Sequence, residues 1–179
     1  MAAKNLADIN HVKARITAIF DVRDLGEAKY LGMSLDRERQ ARTLKTTQER
    51  LAAELVHKHG LKEGRTKSIP VSTSIMLVHA EEDQLLDREK YHYSELVSSL
   101  LYLSVCIRPD ISQAVGVLAR HMAKPSMDHW TAAKAVLWYI AGTLGCDIRQ
   151  TDSPVGGYSD AEYAGDSDTR RSTTGFGPS

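Results

Sequence analysis

The stretch that decides the fold is residues 93–107, which read YSELVSSLLYLSVCI. It carries no glycine, no proline and no charge after Glu95, and apolar residues occupy nearly every side of its helical wheel. A helix that is apolar all round is typical of a protein interior. The sequence therefore predicts a central helix here, with Leu101 in its buried core and Cys106 as a small buried side chain.

Two further helices are predicted downstream of this stretch. Pro109 and Asp110 begin the segment DISQAVGVLARHM, because proline is well tolerated in the first turn of a helix. After Pro125, the segment MDHWTAAKAVLWYIAGTLG has an apolar face that is expected to pack on the core. That face comprises Trp130, Ala133, Val136, Leu137 and Ile140.

Upstream, the pattern predicts a helix, a β-hairpin and a second helix. The first helix is amphipathic, with Asn5 or Asp8 as its cap, and its apolar positions are Ile9, Val12, Ile16, Ile19 and Phe20. Alternating apolar residues at positions 31, 33 and 35, a polar turn and residues 43–46 indicate the hairpin. Thr46 and Glu49 have the spacing of a capping box before QERLAAELVHKHG, which Gly60 ends.

Residues 61–91 show no sustained period. Glycine, proline, serine and charged residues are mixed along this segment, which is predicted to be an irregular connector.

Composition limits the classes of function. The chain has 179 residues, no formal net charge and a pI near 7.1, so the whole molecule does not attract polyanions, and any nucleic-acid contact must be local. Its two cysteines lack the spacing of a metal site or a disulfide framework, which favours a reducing compartment. Neither a signal peptide nor an apolar run of about 20 residues is present, so we expect an intracellular protein, cytoplasmic or nuclear.

Histidines and tryptophans give no catalytic pattern. The histidines at positions 57, 59, 92, 121 and 129 lack the helical pairing with a glutamate that zinc hydrolases use, and we expect them at the surface or at helix caps. Trp130 and Trp138 are eight residues apart, which favours packing beside one core face over base stacking.

Four segments in order resemble a known family. They read DLGEAKYLGM, PVST, YSELVSSLLYLSVCIRPDISQAVGVLARHMAKPSMDHWTAAKAVLWYIAGT and GYSDAEYAGDSDTRRSTTGF. Together they resemble the Pol polyprotein of Ty1/copia-type retrotransposons, from the C-terminal part of the reverse transcriptase into the start of RNase H. The resemblance implies an α+β, helix-rich fold. It assigns residues 1–60 to a palm-derived helix, hairpin and helix, 61–91 to a connector, 92–148 to thumb- or connection-like helices, and 149–179 to the first strands of RNase H.

The same resemblance implies a catalytic role for one residue. Asp160 matches the first RNase H carboxylate of the family, which binds Mg²⁺ together with carboxylates from later segments. The paired aspartates of the polymerase site precede the matching region. We therefore expect a polyprotein fragment that is catalytically incomplete in isolation and needs the remaining polyprotein segments to act on an RNA/DNA hybrid or primer-template. Glu162 shares the parity of Asp160 along the strand, whereas Asp166 and Asp168 fall in the following turn.

Basic residues suggest a nucleic-acid contact. Arg37, Arg39, Arg42 and Lys45 cluster at the hairpin, which in the family lies near the primer strand, and Lys134 is the one cation of its helix. The alternative for the hairpin residues is a solvated tip. An alternative for the whole chain is a non-catalytic helical module that binds nucleic acid or a protein partner through residues 94–145.

Overall fold

The structure is a computed structural model that describes residues 5–23, 29–30, 32–60, 66–71, 77–151, 154, 156–162 and 170–178. The described helices are α1 (Leu6–Ile19), α2 (Glu49–Lys58), α3 (Tyr93–Cys106), α4 (Ser112–Arg120) and α5 (Met127–Gly142). The described strands are β1 (Lys29–Tyr30), β2 (Met33–Glu38), β3 (Thr43–Thr47), β4 (Ile148–Gln150), β5 (Gly157–Glu162) and β6 (Thr173–Pro178). This architecture confirms the α+β, helix-rich class.

The core lies among α2, α3, α4 and α5. Helix α3 packs against both α4 and α5, and α2 covers another side of α5. Fully buried side chains recur at helical spacing on all three central helices. They include Leu96, Val97, Leu100 and Leu103 on α3, Val115 and Leu118 on α4, and Ala133, Val136, Leu137 and Ile140 on α5.

Helix α3 is buried on one face only, so the prediction for Leu101 is wrong. Leu100 is fully buried, whereas Leu101 is 41 % exposed and Val105 is 78 % exposed. Cys106 is only partly buried. Because consecutive helical residues are separated by about 100° around the axis, a helix packed on two neighbours from one side leaves its outer face in water even when that face is apolar.

The connector is irregular, as predicted, in the part that the structure describes. A short 3₁₀ turn at Glu82–Gln84 interrupts it. It nevertheless contributes Leu77 and Leu86 to the core, and the Leu86 N–H donates to the Pro125 carbonyl at 2.8 Å. Burial of these two leucines fixes the connector against the helices, which its mixed composition did not indicate.

The helix caps differ from the predicted ones. Thr46 lies within β3, and the N-cap of α2 is Gln48; the Glu49 amide donates instead to the Thr47 hydroxyl at 3.2 Å. The Asn5 side chain makes no capping hydrogen bond to α1. Gly60 does follow α2 with a φ of +62°, a left-handed conformation that glycine adopts without strain.

A capping box that the sequence pattern missed begins α5. The Ser126 side chain accepts from the amide of His129, and the Ser126 N–H donates to His129 Nδ1 at 3.0 Å. Histidine here takes the position that glutamate or glutamine usually holds in this motif.

We expect Ser126→Ala to lower the free energy of unfolding by ~1 kcal/mol, because one amide of the first turn of α5 loses its partner. Urea melts followed by circular dichroism measure the change. Ser94→Ala, at an exposed position in the first turn of α3, is the matched control. Equal losses in the two variants would contradict a specific role for the Ser126 cap.

The strands form two sheets in the described part of the chain. The first has the antiparallel order β1-β2-β3-β4, so the chain returns to the N-terminal hairpin after α5. The second is the hairpin of β5 and β6, which pairs Asp160 with Gly175. Its described side chains are exposed, including Tyr158 and Phe176.

Candidate functional site

Asp160 lies on the β5–β6 hairpin with its side chain exposed. Its Oδ1 accepts a hydrogen bond from the Ala161 amide at 2.8 Å, and its surroundings are an open depression formed by the two strands. Among the residues that the structure describes, no three histidine, cysteine or acidic side chains come together as a metal site. The Glu162 side chain, Asp166 and Asp168 lie outside the described part.

One exposed carboxylate is a poor Mg²⁺ site by itself. Magnesium prefers a near-octahedral set of oxygen ligands, and two-metal hydrolysis needs carboxylates from several elements to hold cations about 4 Å apart. Asp160 is a single carboxylate, which is fewer than such a set requires. Additional carboxylates must reach this strand before it can hold the metal that the family resemblance implies.

The cations of the N-terminal hairpin do not converge on one surface. Arg37 on β2 is opposite Leu44, while Lys45 on β3 is opposite Asp36, and these two cross-strand pairs point to opposite faces of the sheet. Lys45 also forms an ion pair with Asp147 at 2.9 Å. Arg39 and Arg42 lie in the exposed turn that joins the strands, and Arg42 has a φ of +49°.

Lys134 lies on the half-buried side of α5. Its Nζ is 5.9 Å from the centroid of the Trp130 ring, one helical turn earlier. Trp130 also has edge contacts with Tyr91 and His59, at centroid distances of 5.5 and 6.0 Å. The structure thus separates Lys134 from the hairpin cations and places it in an aromatic surrounding.

Sequence reasoning missed a polar network that centres on Arg108. The buried guanidinium donates to both carboxylate oxygens of Asp110 at 2.8–3.2 Å. It also donates to the carbonyl and the hydroxyl of Thr143 at 3.1 and 2.7 Å. Tyr139 OH donates to Asp110 at 2.9 Å. The network ties the end of α3 to the end of α5, and its sequence signal is the RPD triplet at 108–110.

The charges of this network stabilise one another. Burial acts to raise the pKa of Asp110, but the hydrogen bonds from Arg108 and Tyr139 outweigh it, so the pKa lies below its usual value. The hydrogen bond to Asp110 raises the pKa of Tyr139. A carboxylate held as an ion by a fixed guanidinium is suited to joining helices, and we assign the network a structural role.

Three histidine rings lie close together where the connector meets the end of α4 and the start of α5. The His121 ring lies 5.2 Å from that of His79 and 4.2 Å from that of His129. His121 and His129 are buried, so neither lies at the surface, but both lie at helix caps, which is the other position that the sequence analysis gave: His121 is the C-cap residue of α4 and His129 belongs to the capping box of α5. Tyr93 OH nearby donates to the Leu118 carbonyl at 2.9 Å, and burial raises the Tyr93 pKa. The Ser126 backbone amide that donates to His129 Nδ1 fixes that nitrogen as an acceptor.

Comparisons with known proteins find relatives along nearly the whole chain. The chain is 36 % identical over 98 % of its length to the retrovirus-related Pol polyprotein from transposon TNT 1-94 of Nicotiana tabacum, and it spans 14 % of that protein. It is 31 % identical over 94 % of its length to the corresponding polyprotein from transposon RE2 of Arabidopsis thaliana, of which it spans 12 %. An uncharacterized mitochondrial protein of Arabidopsis thaliana is 28 % identical over 94 % of this chain and 69 % of its own length.

Two other comparisons found no match. No protein-family profile matches the chain, and no solved structure does. Within the described residues, no helix is both long enough and apolar enough to cross a bilayer.

Proposed function

Because this chain belongs to the Pol polyproteins of copia-type retrotransposons, as one segment of them, we propose that it joins a reverse transcriptase to its RNase H domain. In this proposal, residues 1–60 and 92–148 derive from the palm and the thumb or connection. Residues 149–179 begin the RNase H domain, with Asp160 as its first carboxylate. The segment has no catalytic activity of its own.

The exposed position of Asp160 carries the proposal. In the described part of the chain, Asp160 on β5 is not part of any group of three or more histidine, cysteine or acidic side chains that could hold a metal ion. Phosphoryl chemistry on nucleic acids needs several converging carboxylates to position the metal ions. In the complete polyprotein, Mg²⁺ would supply the water-activating and charge-stabilising steps, and Asp160 would be one of its ligands.

We expect the purified chain to show neither Mg²⁺-dependent cleavage of an RNA/DNA hybrid nor extension of a primer on a template. The physical reason is that, among the described residues, no group of three or more side chains is placed to hold a metal ion. Gel assays with a labelled hybrid and a labelled primer-template measure both activities, and a complete reverse transcriptase serves as the positive control. Either activity, if lost in the Asp160→Asn variant, contradicts the proposal.

A second candidate function is a non-catalytic helical module that binds a partner. The observation that favours it is the outer face of α3, where the apolar residues Leu101, Tyr102 and Val105 are exposed at 41, 37 and 78 %. The reading frames that flank the gene distinguish the two candidates. A paired-aspartate polymerase motif upstream and further RNase H carboxylates downstream support the polyprotein segment; their absence favours the independent module.

A further inference from the structure

Hydrogen bonds hold residues 85–88 of the connector against the loop between α4 and α5. On the loop side, their partners all lie within residues 123–126. They are the hydrogen bond from the Leu86 amide to the Pro125 carbonyl at 2.8 Å, the antiparallel bridge of Leu85 with Ser126, and the hydrogen bond from the Arg88 guanidinium to the Ala123 carbonyl. The conformation of this loop therefore decides whether the connector is held on the helices.

His129 fixes the end of that loop through the capping box of α5. Its Nδ1 accepts a hydrogen bond from the Ser126 amide at 3.0 Å, and Ser126 Oγ lies 2.7 Å from the same nitrogen. An imidazole nitrogen accepts a hydrogen bond only while it carries no proton. A proton on Nδ1 turns this acceptor into a donor. The Ser126 hydroxyl can accept from the new N–H, but the Ser126 amide loses its partner.

The surroundings of His129 disfavour a positive charge on its ring. The residue is only 1 % exposed, so a charge there is removed from water. It occupies the third position of α5, close to the positive end of the helix dipole. Tyr93, whose ring centroid is 6.4 Å away, supplies no compensating negative charge, because burial raises its pKa. The neutral ring is therefore the form that fits the folded protein.

His121 differs from His129 in its place on a helix. Its ring lies 4.2 Å from that of His129 and 5.2 Å from that of the exposed His79. It is the C-cap residue of α4, where the helix dipole favours a positive charge. The proton that disrupts the fold is therefore the one on His129. The other charged side chains of segments 79–82 and 120–129 are exposed, so water and salt screen them: Glu81, Glu82, Arg120, Lys124 and Asp128.

We propose that His129 is an acid-sensitive switch, which holds the connector on the α4–α5 loop when neutral and releases it when Nδ1 binds a proton from water. The switch belongs to the fold and is independent of the proposed function. An ordinary histidine titrates near pH 6.5, and the released form binds more protons below that pH. A proton that binds only the released form raises the ratio of released to held protein about tenfold from about pH 7.5 to about pH 5.5.

Amide hydrogen exchange of the full chain, followed by NMR at these two pH values, tests the switch. The protection factor of the Leu86 amide corrects for the effect of pH on chemical exchange, and that of Leu100 in α3 reports on the core. We expect the Leu86 value to fall about tenfold at the lower pH and the Leu100 value to change less than about twofold. An unchanged Leu86 value overturns the switch. An equal fall at both amides indicates global unfolding and overturns it too.

Three variants assign the proton. His129→Gln keeps an acceptor at the usual third position of a capping box but does not titrate, so its Leu86 protection should be equal at the two pH values. His57→Gln, at an exposed position of α2, is the matched control and should keep the full fall. His121→Phe should also keep it, which tests the assignment even if the His129 variant does not fold. A fall that persists in His129→Gln, or one that His121→Phe abolishes, overturns the role of His129.

Discussion

Replacing Leu137 with aspartate will unfold the helical core of this protein. Leu137 is fully buried on α5, where α5 packs against α2, α3 and α4. The substitution removes a large apolar side chain and leaves an unpaired carboxylate in its place, at a cost of about 4 kcal/mol or more. Since domains of this size are stable by only about 5–15 kcal/mol, thermal melts followed by circular dichroism should show a much lower Tm or no cooperative transition.

Leu101→Asp is the matched control for this prediction. It makes the same chemical change on α3, but the side chain is 41 % exposed and the new carboxylate can remain hydrated. We expect it to destabilise the protein by less than about 1 kcal/mol. Similar melting curves for the two variants would contradict the orientation of α3 or α5 that the structure gives.

Replacing Arg108 with methionine will produce the second large loss of stability, about 3 kcal/mol. The change keeps much of the apolar stem but removes the guanidinium that joins Asp110 to Thr143. Asp110 is 36 % exposed, so water compensates part of the loss and the effect falls at the low end of the range for a broken buried pair. Urea unfolding of the variant and of the unmodified chain measures the difference.

Two further variants identify the cause of the Arg108 effect. Arg108→Lys keeps the charge but cannot donate to Asp110 and Thr143 from one planar group, so we expect it to recover only part of the stability. Tyr139→Phe removes one peripheral hydrogen bond and should cost about 1 kcal/mol. If lysine restored full stability, charge rather than the directed hydrogen bonds would hold the two helix ends together.

The pH dependence of the Arg108 effect has a definite sign. The pKa of Asp110 is lowered in the folded protein, so its ionised form contributes stability above the pKa of the unfolded chain. That contribution is lost as the pH falls through the folded pKa. The difference in the free energy of unfolding between the unmodified chain and the Asp110→Asn variant should therefore be constant near neutral pH. It should decrease in acid, below about pH 4.

The sequence by itself determined the order and type of most elements. The helical periods predicted α1 to α5, the alternation at positions 31, 33 and 35 predicted the hairpin, and Gly60 marked the end of α2; of these positions, Leu31 lies outside the described residues. These features depend on the backbone and on neighbours within a few residues, so a short stretch of sequence is enough to predict them. The family, too, was identifiable from ordered local motifs, whereas the metal ligation of Asp160 and the domain boundaries stay predictions.

Only the tertiary structure decided which apolar residues face the core and which polar residues meet. Leu100 and Leu101 are the same residue type at adjacent positions of α3. Because α3 packs on two neighbouring helices from one side, Leu100 is buried and Leu101 is exposed. Arg108 reaches Thr143 across 35 residues of chain, and Lys67 reaches Trp138 from the connector. Such contacts depend on how helices pack against one another, and packing is a property of the assembled surfaces, which no local period encodes.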